Sequence, residues 1–248
     1  MSKILVIGDS CKDIHIYGKC DRMCPDGPVP VFVPIFRKEN LGMAGNVYQN
    51  ILALKAEADL ITNDVIIEKK RLVQEATNHM FLRVDSGEEN IKRIIGLTSS
   101  MLSQYEIIVV SDYNKGFLLK KDIQFICDNH ENVFIDTKKK IGDFCKKAKF
   151  IKINTIEYNN SIEYIENNIW AAEKIIQTCG SDGCKFRNKE YSVKKVEIKD
   201  VCGAGDTFMA ALCVKFDRTR DIEESIRFAN ECASIVVQLK GVNTIEKL

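Results

Sequence analysis

Chemistry is concentrated in one stretch of this chain, Asp200-Val201-Cys202-Gly203-Ala204-Gly205-Asp206-Thr207-Phe208. Met209, Leu212, Cys213 and Phe216 follow at helical spacing, so a glycine-rich turn opens directly onto a helix. The first N–H groups of a helix lack partners, and its dipole is positive at that end. Glycines let such a backbone approach a ligand closely. Gly203, Ala204 and Gly205 would thus offer N–H groups to an anion, an arrangement suited to the charge that builds on a phosphoryl group in transfer. Asp206 stands beside that hole, where a carboxylate can accept the proton of an attacking hydroxyl. The same residues also fit a plain glycine turn with Asp206 as its cap. Asp200 and the apolar helix weigh towards the first reading.

The elements that must position this segment follow from hydrophobic patterning. Ile4–Ile7, Ile107–Val110, Val133–Ile135, Phe150–Ile153 and Ile175-Ile176 are apolar runs, and each ends at a small or polar residue. Such runs fit strands buried on both faces of a parallel sheet. Amphipathic stretches over 44–54, 118–127, 162–176 and 222–239 predict helices between them. The alternation predicts an α/β sheet with right-handed crossovers and ligands beyond the carboxyl ends of its strands. Asp9, Asp112, Asp136, Asn154 and Thr178 then share one sheet edge. Residues 14–40, which hold all four prolines, and 70–86 break the rhythm. They read as strands of a small separate sheet over the site, a lid on a core formed by 1–13, 41–69 and 87–248.

Bulk properties narrow the classes. The 248 residues, 45% hydrophobic, suffice for one substantial core. Thirty-six Lys and Arg balance 35 Asp and Glu, which gives no support to nucleic-acid or membrane-surface binding. No run approaches the length of a membrane span, and the N-terminus reads as a strand and not as a leader, so a soluble, cytoplasmic protein is expected. The ten cysteines include no C-x-x-C, and the three histidines are scattered, so no zinc site is expected and the thiols read as packing or incidental residues.

Asp200–Thr207 resembles the C-terminal signature of the ribokinase-like (PfkB) carbohydrate kinases. Ile7-Gly8-Asp9 with Asp13 resembles the opening strand of that family, and Gly42–Val47 its N-terminal G-G-x-x-N signature, with Met43 in place of the second glycine. Asn154–Glu157 is similar to its N-x-x-E motif, Thr178–Gly183 to its nucleotide loop, and Phe228-Ala229-Asn230 to the helix beside adenine. Asp21–Val31, Leu82–Asp85 and Ser111–Gly116 resemble the heptose 7-phosphate kinases of lipopolysaccharide-precursor synthesis more narrowly.

The resemblance implies a three-layer α/β/α sandwich with a mostly parallel central sheet and a β lid. It implies phosphoryl transfer from ATP with Mg²⁺ to a sugar hydroxyl, with 1-phosphorylation of a heptose 7-phosphate as the specific expectation. Asp9 and Asp13 would hold sugar hydroxyls, although Asp9 also fits a turn cap after the first strand. Gly42, Gly45 and Asn46 would bind substrate or simply start a helix. Arg71, Arg83 and Lys115 would meet a phosphate on the sugar, or be ordinary surface and loop cations; Asp112, near Lys115, would also bind substrate. Asn154 and Glu157 would act on magnesium, Glu157 through water. Thr178, Gly180, Gly183 and Asn230 would surround ATP. A homodimer joined through the lid is expected. A hexose, ribose or nucleoside acceptor, or a non-catalytic nucleotide- and sugar-binding role, remain as alternatives. The chain is brief between Thr62 and Lys70, where relatives carry more, and ends without room for a fused nucleotidyltransferase, so the kinase step alone is expected.

Overall fold

The computed structural model describes residues 3–239, 241 and 243–245. Strand β1 (Lys3–Gly8) passes through the single residue Asp9 into β2 (Ser10–Met23). A turn returns the chain as β3 (Pro30–Met43), which runs without a break into α1 (Ala44–Ala53). Then come β4 (Glu57–Thr62), β5 (Ile67–Gln74), β6 (Met80–Ser86) and a short α2 (Ser99–Leu102). Strands β7 (Ile107–Asp112), β8 (Val133–Thr137) and β9 (Phe150–Asn154) follow, with α3 (Lys120–Asn129) after β7. Short helices α4 (Thr155–Asn160), α5 (Ile162–Glu166) and α6 (Ile169–Lys174) lead into β10 (Ile175–Thr178). The hairpin of β11 (Cys184–Phe186) and β12 (Lys189–Tyr191) precedes α7 (Ala204–Thr219) and α8 (Ile222–Val236).

The five apolar runs are all strands of one eight-stranded sheet, ordered β12-β11-β10-β9-β8-β7-β1-β4. From β4 to β10 neighbouring strands are parallel, and β11 and β12 add on antiparallel. Alternate side chains feed two cores. Ile4, Val6, Ile107 and Val109 pack with α1, α7 and α8 on one face. Leu5, Ile7, Ile108 and Val110 pack with α2, α3, α5 and α6 on the other. The sandwich thus has three layers, with its catalytic-candidate strand ends on one rim. No described helix is long and apolar enough to cross a membrane.

One predicted helix differs. The stretch 162–176 is two short helices, and Ile175-Ile176 belongs to a strand. Asn167 and Asn168 stand at the break, and their amides donate to the carbonyls of Glu163 and Tyr164 at 2.8 Å each. Side chains that bond the local backbone compete with helix continuation. Strand β4, an edge strand of mixed composition, and the short β11 and β12 carry too weak a pattern to be predicted.

A second sheet has the order β3-β2-β5-β6. Its ladder begins at Ser10↔Met43 and Cys11↔Ile67, so it takes in residues 10–13, 41–43 and 67–69 beyond the segments 14–40 and 70–86. Burial alternates strictly along β5, which turns Ile67, Lys69, Arg71 and Val73 to the covered side.

Gly8, where β1 meets β7, leaves no room for a side chain. A Cβ added at Gly8 would lie 1.8 Å from the Ser111 carbonyl oxygen. Gly8→Ala is expected to lower stability by about 3 kcal/mol, as overpacking against backbone does, and urea unfolding checks it.

Candidate active site

Gly203 immediately precedes helix α7, and its left-handed φ of 81° lets the chain turn sharply into the helix. No side chain caps this terminus, so Asp206 is not serving as the N-cap. The N–H of Ala204 reaches Val201 O at 3.3 Å and that of Thr207 reaches Gly203 O at 2.9 Å, while those of Gly205 and Asp206 have no backbone acceptor among the described residues. Of the three expected donors, Gly203 and Gly205 are open and Ala204 is engaged, and Asp206 adds a further open N–H.

Asp206 is 5% exposed and touches two donors. Asn46 Nδ2 donates to Oδ2 at 3.0 Å, and the Tyr113 hydroxyl donates to Oδ1 at 2.6 Å. Burial pushes the carboxyl up to about 6; the bonds from Tyr113 and Asn46 oppose the rise, Asp136 adds to it and Lys152 offsets it. Burial, and next the charge of Asp206, hold the Tyr113 hydroxyl protonated well above its usual range, so it remains a donor.

Gly203, Ala204, Gly205 and Asp206 line a cavity of about 760 Å³. Asn154, Thr178, Gly180, Gly183 and Asn230 line it too, so the predicted nucleotide residues and the predicted base share one cleft. Gly180 and Gly183 have φ of 60° and 88°, and a Cβ at 183 would lie 2.0 Å from Tyr191 O. Asn230, mid-helix in α8, donates to that same Tyr191 carbonyl at 2.9 Å. Val196, Ile198, Val201, Ala233 and Val237 add apolar lining.

Asp9, Asp13, Gly42, Gly45, Asn46, Arg71, Arg83, Asp112, Lys115 and Glu157 do not line this cavity. Asp9 is fully buried and accepts the N–H groups of Tyr113, Lys115 and Phe117 at 2.8, 3.4 and 3.3 Å. Burial, then Asp112, pushes its carboxyl up against those bonds. It organises the loop after β7 as a turn anchor, and its oxygens are not free for a sugar. Asp112 is likewise committed: Lys139 Nζ lies 2.7 and 2.8 Å from its oxygens, and Thr137 and the Asn114 N–H complete the set. Lys115 pairs with Glu88 at 2.6 Å. Arg83 holds Asp85 through two bonds of 2.7 Å, and the buried Arg71 donates to Asp13. A Cβ at Gly42 would press to 2.3 Å from Asp13 Oδ2, and Gly45 packs against Leu41 in the same corner. Met43, where the family signature has glycine, adopts φ 61° and ψ −133°, a conformation costly for any side chain.

Asn154 caps α4 in a reciprocal box with Glu157, and Glu157 also pairs with Lys138. No three His, Cys, Asp or Glu side chains cluster as metal ligands among the described residues. Asp136 Oδ1 is buried without a hydrogen-bond partner beside this group, 3.9 Å from Lys138 Nζ. Such donors fit a cation that keeps its own water and arrives with phosphates, and not a caged ion.

Three cavity residues carried no sequence-based role. Lys152 is buried in β9, pairs with Asp136 at 2.5 Å, and sits where a Cβ on Gly205 would be 2.9 Å away. A lysine inside the apolar run Phe150–Asn154 was the available signal. Tyr113 and Lys138 come from loops, and no periodicity marks them.

Asp206 ionised in this setting costs stability. Its folded carboxyl lies at about 6 against an ordinary 3.8, so protons bind the folded state first as pH falls, and the cost is relieved between these values. Asp206→Asn is expected to gain on the wild type most at pH 8, by up to ~3 kcal/mol, with the gap shrinking as pH drops through about 6. Thermal unfolding of both proteins from pH 8 to 5 checks this.

Residues 103–248 match the pfkB family of carbohydrate kinases. The bifunctional protein HldE of a Nitratiruptor species is 30% identical over 294 aligned positions, which cover 98% of this chain and 63% of that protein. HldE of Helicobacter pylori (strain J99 / ATCC 700824) is 28% identical, over 97% of this chain and 64% of its own. The chain thus spans under two thirds of the length of these relatives. The aligned positions outnumber its 248 residues, so the relatives hold segments that it lacks. Arabidopsis thaliana ribokinase, solved with ribose and ATP, superposes with a TM-score of 0.73 at 14% identity, over 97% of this chain and 94% of that one. With the family pattern covering more than half of its length, this chain belongs to the pfkB family of carbohydrate kinases.

Proposed function

We propose that this sugar kinase transfers the γ-phosphoryl group of ATP to the 1-hydroxyl of a heptose 7-phosphate, with Asp206 as base. The observation that carries the reading is a carboxylate held by Asn46 and Tyr113 beside open N–H groups at the start of α7, at the end of a cavity of nucleotide size. ATP would lie along that cavity, its base against the apolar lining near Asn230 and its phosphates by Thr178, Gly180, Gly183 and Lys152. The acceptor would enter from the second sheet, against Asp13, Gly42, Gly45 and Asn46. Asp206 takes the hydroxyl proton as oxygen attacks, and the N–H groups of Gly205 and Asp206 receive the moving phosphoryl. Magnesium would neutralise charge between the phosphates, steered through water by Asn154 and Glu157. Likeness to HldE and the segments 21–31, 82–85 and 111–116 support a heptose phosphate over other sugars.

The second sheet serves as lid to the core in this reading, excluding water that would compete as acceptor. Its outer side also favours a homodimer. Ile16, Leu72 and Leu82 lie in register across three strands, and Leu82 and its neighbour Val84 are 53% and 45% exposed. Adjacent exposed apolar residues of this kind suit a second copy of the chain. ATP and a sugar phosphate as substrates fit the cytoplasm.

Asp206→Asn is expected to lower kcat about 100- to 10,000-fold in ADP-release assays with heptose 7-phosphate. The wild-type kcat/KM should fall on the acid side with a midpoint near pH 6, because the base must be ionised and its carboxyl is raised to about 6. Near-normal turnover by the variant removes Asp206 as base, and preference for an unphosphorylated sugar removes the heptose phosphate. By sedimentation velocity the wild type is expected as a dimer and Leu82→Asp with Val84→Asp as a monomer; a monomeric wild type rejects the lid interface.

A further inference from the structure

The covered side of the second sheet carries an uneven set of charges. On β5, Lys69 and Arg71 face inward. Asp13 and Asp85 flank Lys69 in register on β2 and β6, and His15 and Arg83 flank Arg71. Each carboxylate in this patch is already committed to an arginine, Asp13 to Arg71 and Asp85 to Arg83. Lys69 is left over. Among the described residues the buried Lys and Arg side chains are Lys69, Arg71 and Lys152; Arg71 and Lys152 have ion pairs and Lys69 has none.

Lys69 is 8% exposed as a residue and forms no ion pair, so its ammonium is a cation at the edge of a covered face with its charge left to an incoming anion. Its ammonium stands 5.5 Å from the centre of the Tyr113 ring, and the hydroxyl of that ring bonds Asp206. Lys69 is therefore on the acceptor side of the base, about one tyrosine side chain away from it. That separation suits a sugar that carries its reacting hydroxyl at one end and a dianion at the other. The arginines and Lys115 expected to meet such a group are all occupied by acids.

We propose that Lys69 is the residue by which the acceptor site recognises a phosphate monoester on its sugar, an inference that rests on the sugar phosphate reading above. The ammonium donates charge-assisted hydrogen bonds to the phosphate oxygens and gains the counter-charge that the protein itself withholds. Lys69 binds and discriminates; it takes no part in proton transfer.

The test is calorimetric binding of heptose 7-phosphate and of the free heptose, with a non-hydrolysable ATP analogue saturating the nucleotide cavity. For Lys69→Met, the Kd of the phosphorylated sugar is expected to rise roughly 10- to 100-fold, with that of the free sugar unchanged. Lys69→Arg should fall between. The thermal midpoint of Lys69→Met should stay close to that of the wild type, because no ion pair is removed. Equal loss for both sugars, no loss for either, or a wild type that binds no phosphorylated sugar overturns the proposal. Binding that depends on Lys69 without any ATP-driven product would instead overturn the kinase assignment of the acceptor and leave Lys69 standing. Turnover with no preference for the phosphorylated sugar would do the reverse.

Discussion

The Asp206 carboxylate lies in the first turn of α7, almost out of water, with Asn46 on one oxygen and Tyr113 on the other. Ionising a group so placed is unfavourable, and the surrounding architecture reads as a set of measures that make it tolerable. The helix start supplies a positive potential. Lys152, buried below Gly205 and tied to Asp136, adds a fixed cation from the central sheet. The two donors come from opposite sides, Asn46 from the helix that follows the second sheet and Tyr113 from the loop after β7. That loop is itself folded around Asp9. A carboxylate that resists ionisation is also a better proton acceptor than one in water, so the same burial that costs stability equips the group for base chemistry.

Much of this was legible in the residues. Apolar runs ending in small or polar residues marked the parallel strands because strands buried on both faces tolerate little else. The turn at Gly203–Asp206 announced itself because few sequences need two glycines before an aspartate and an apolar helix. What escaped was whatever depends on long-range pairing. Asp9, Asp112, Arg71, Arg83 and Lys115 have the right types for a ligand site, yet each is engaged by another residue of the chain, some of them distant in sequence. A charged side chain cannot declare from its position alone whether its partner is a substrate or a neighbour. Lys152, Tyr113 and Lys69 show the converse, residues with modest local signals that gain meaning only from what the fold sets beside them.

The helix expected over 162–176 failed for a local reason, the competition of Asn167 and Asn168 for backbone carbonyls. Met43 presents a different tension. A methionine at φ 61° stands where the family signature carries glycine, and it fills a small cluster with Cys11 and Ile67 under the second sheet. Packing there offsets some of the backbone cost.

The route of the chain between its two sheets has a mechanical corollary. Four links join the second sheet to the core; residues 63–66 and 87–98 form the longer two, while only Asp9 separates β1 from β2 and nothing separates β3 from α1, so two of the links have no slack. One of these two is the residue that anchors the Tyr113 loop; the other ends three residues before Asn46. On the proposed reading, a sugar seated against the second sheet would bear on Asp206 through these two short links.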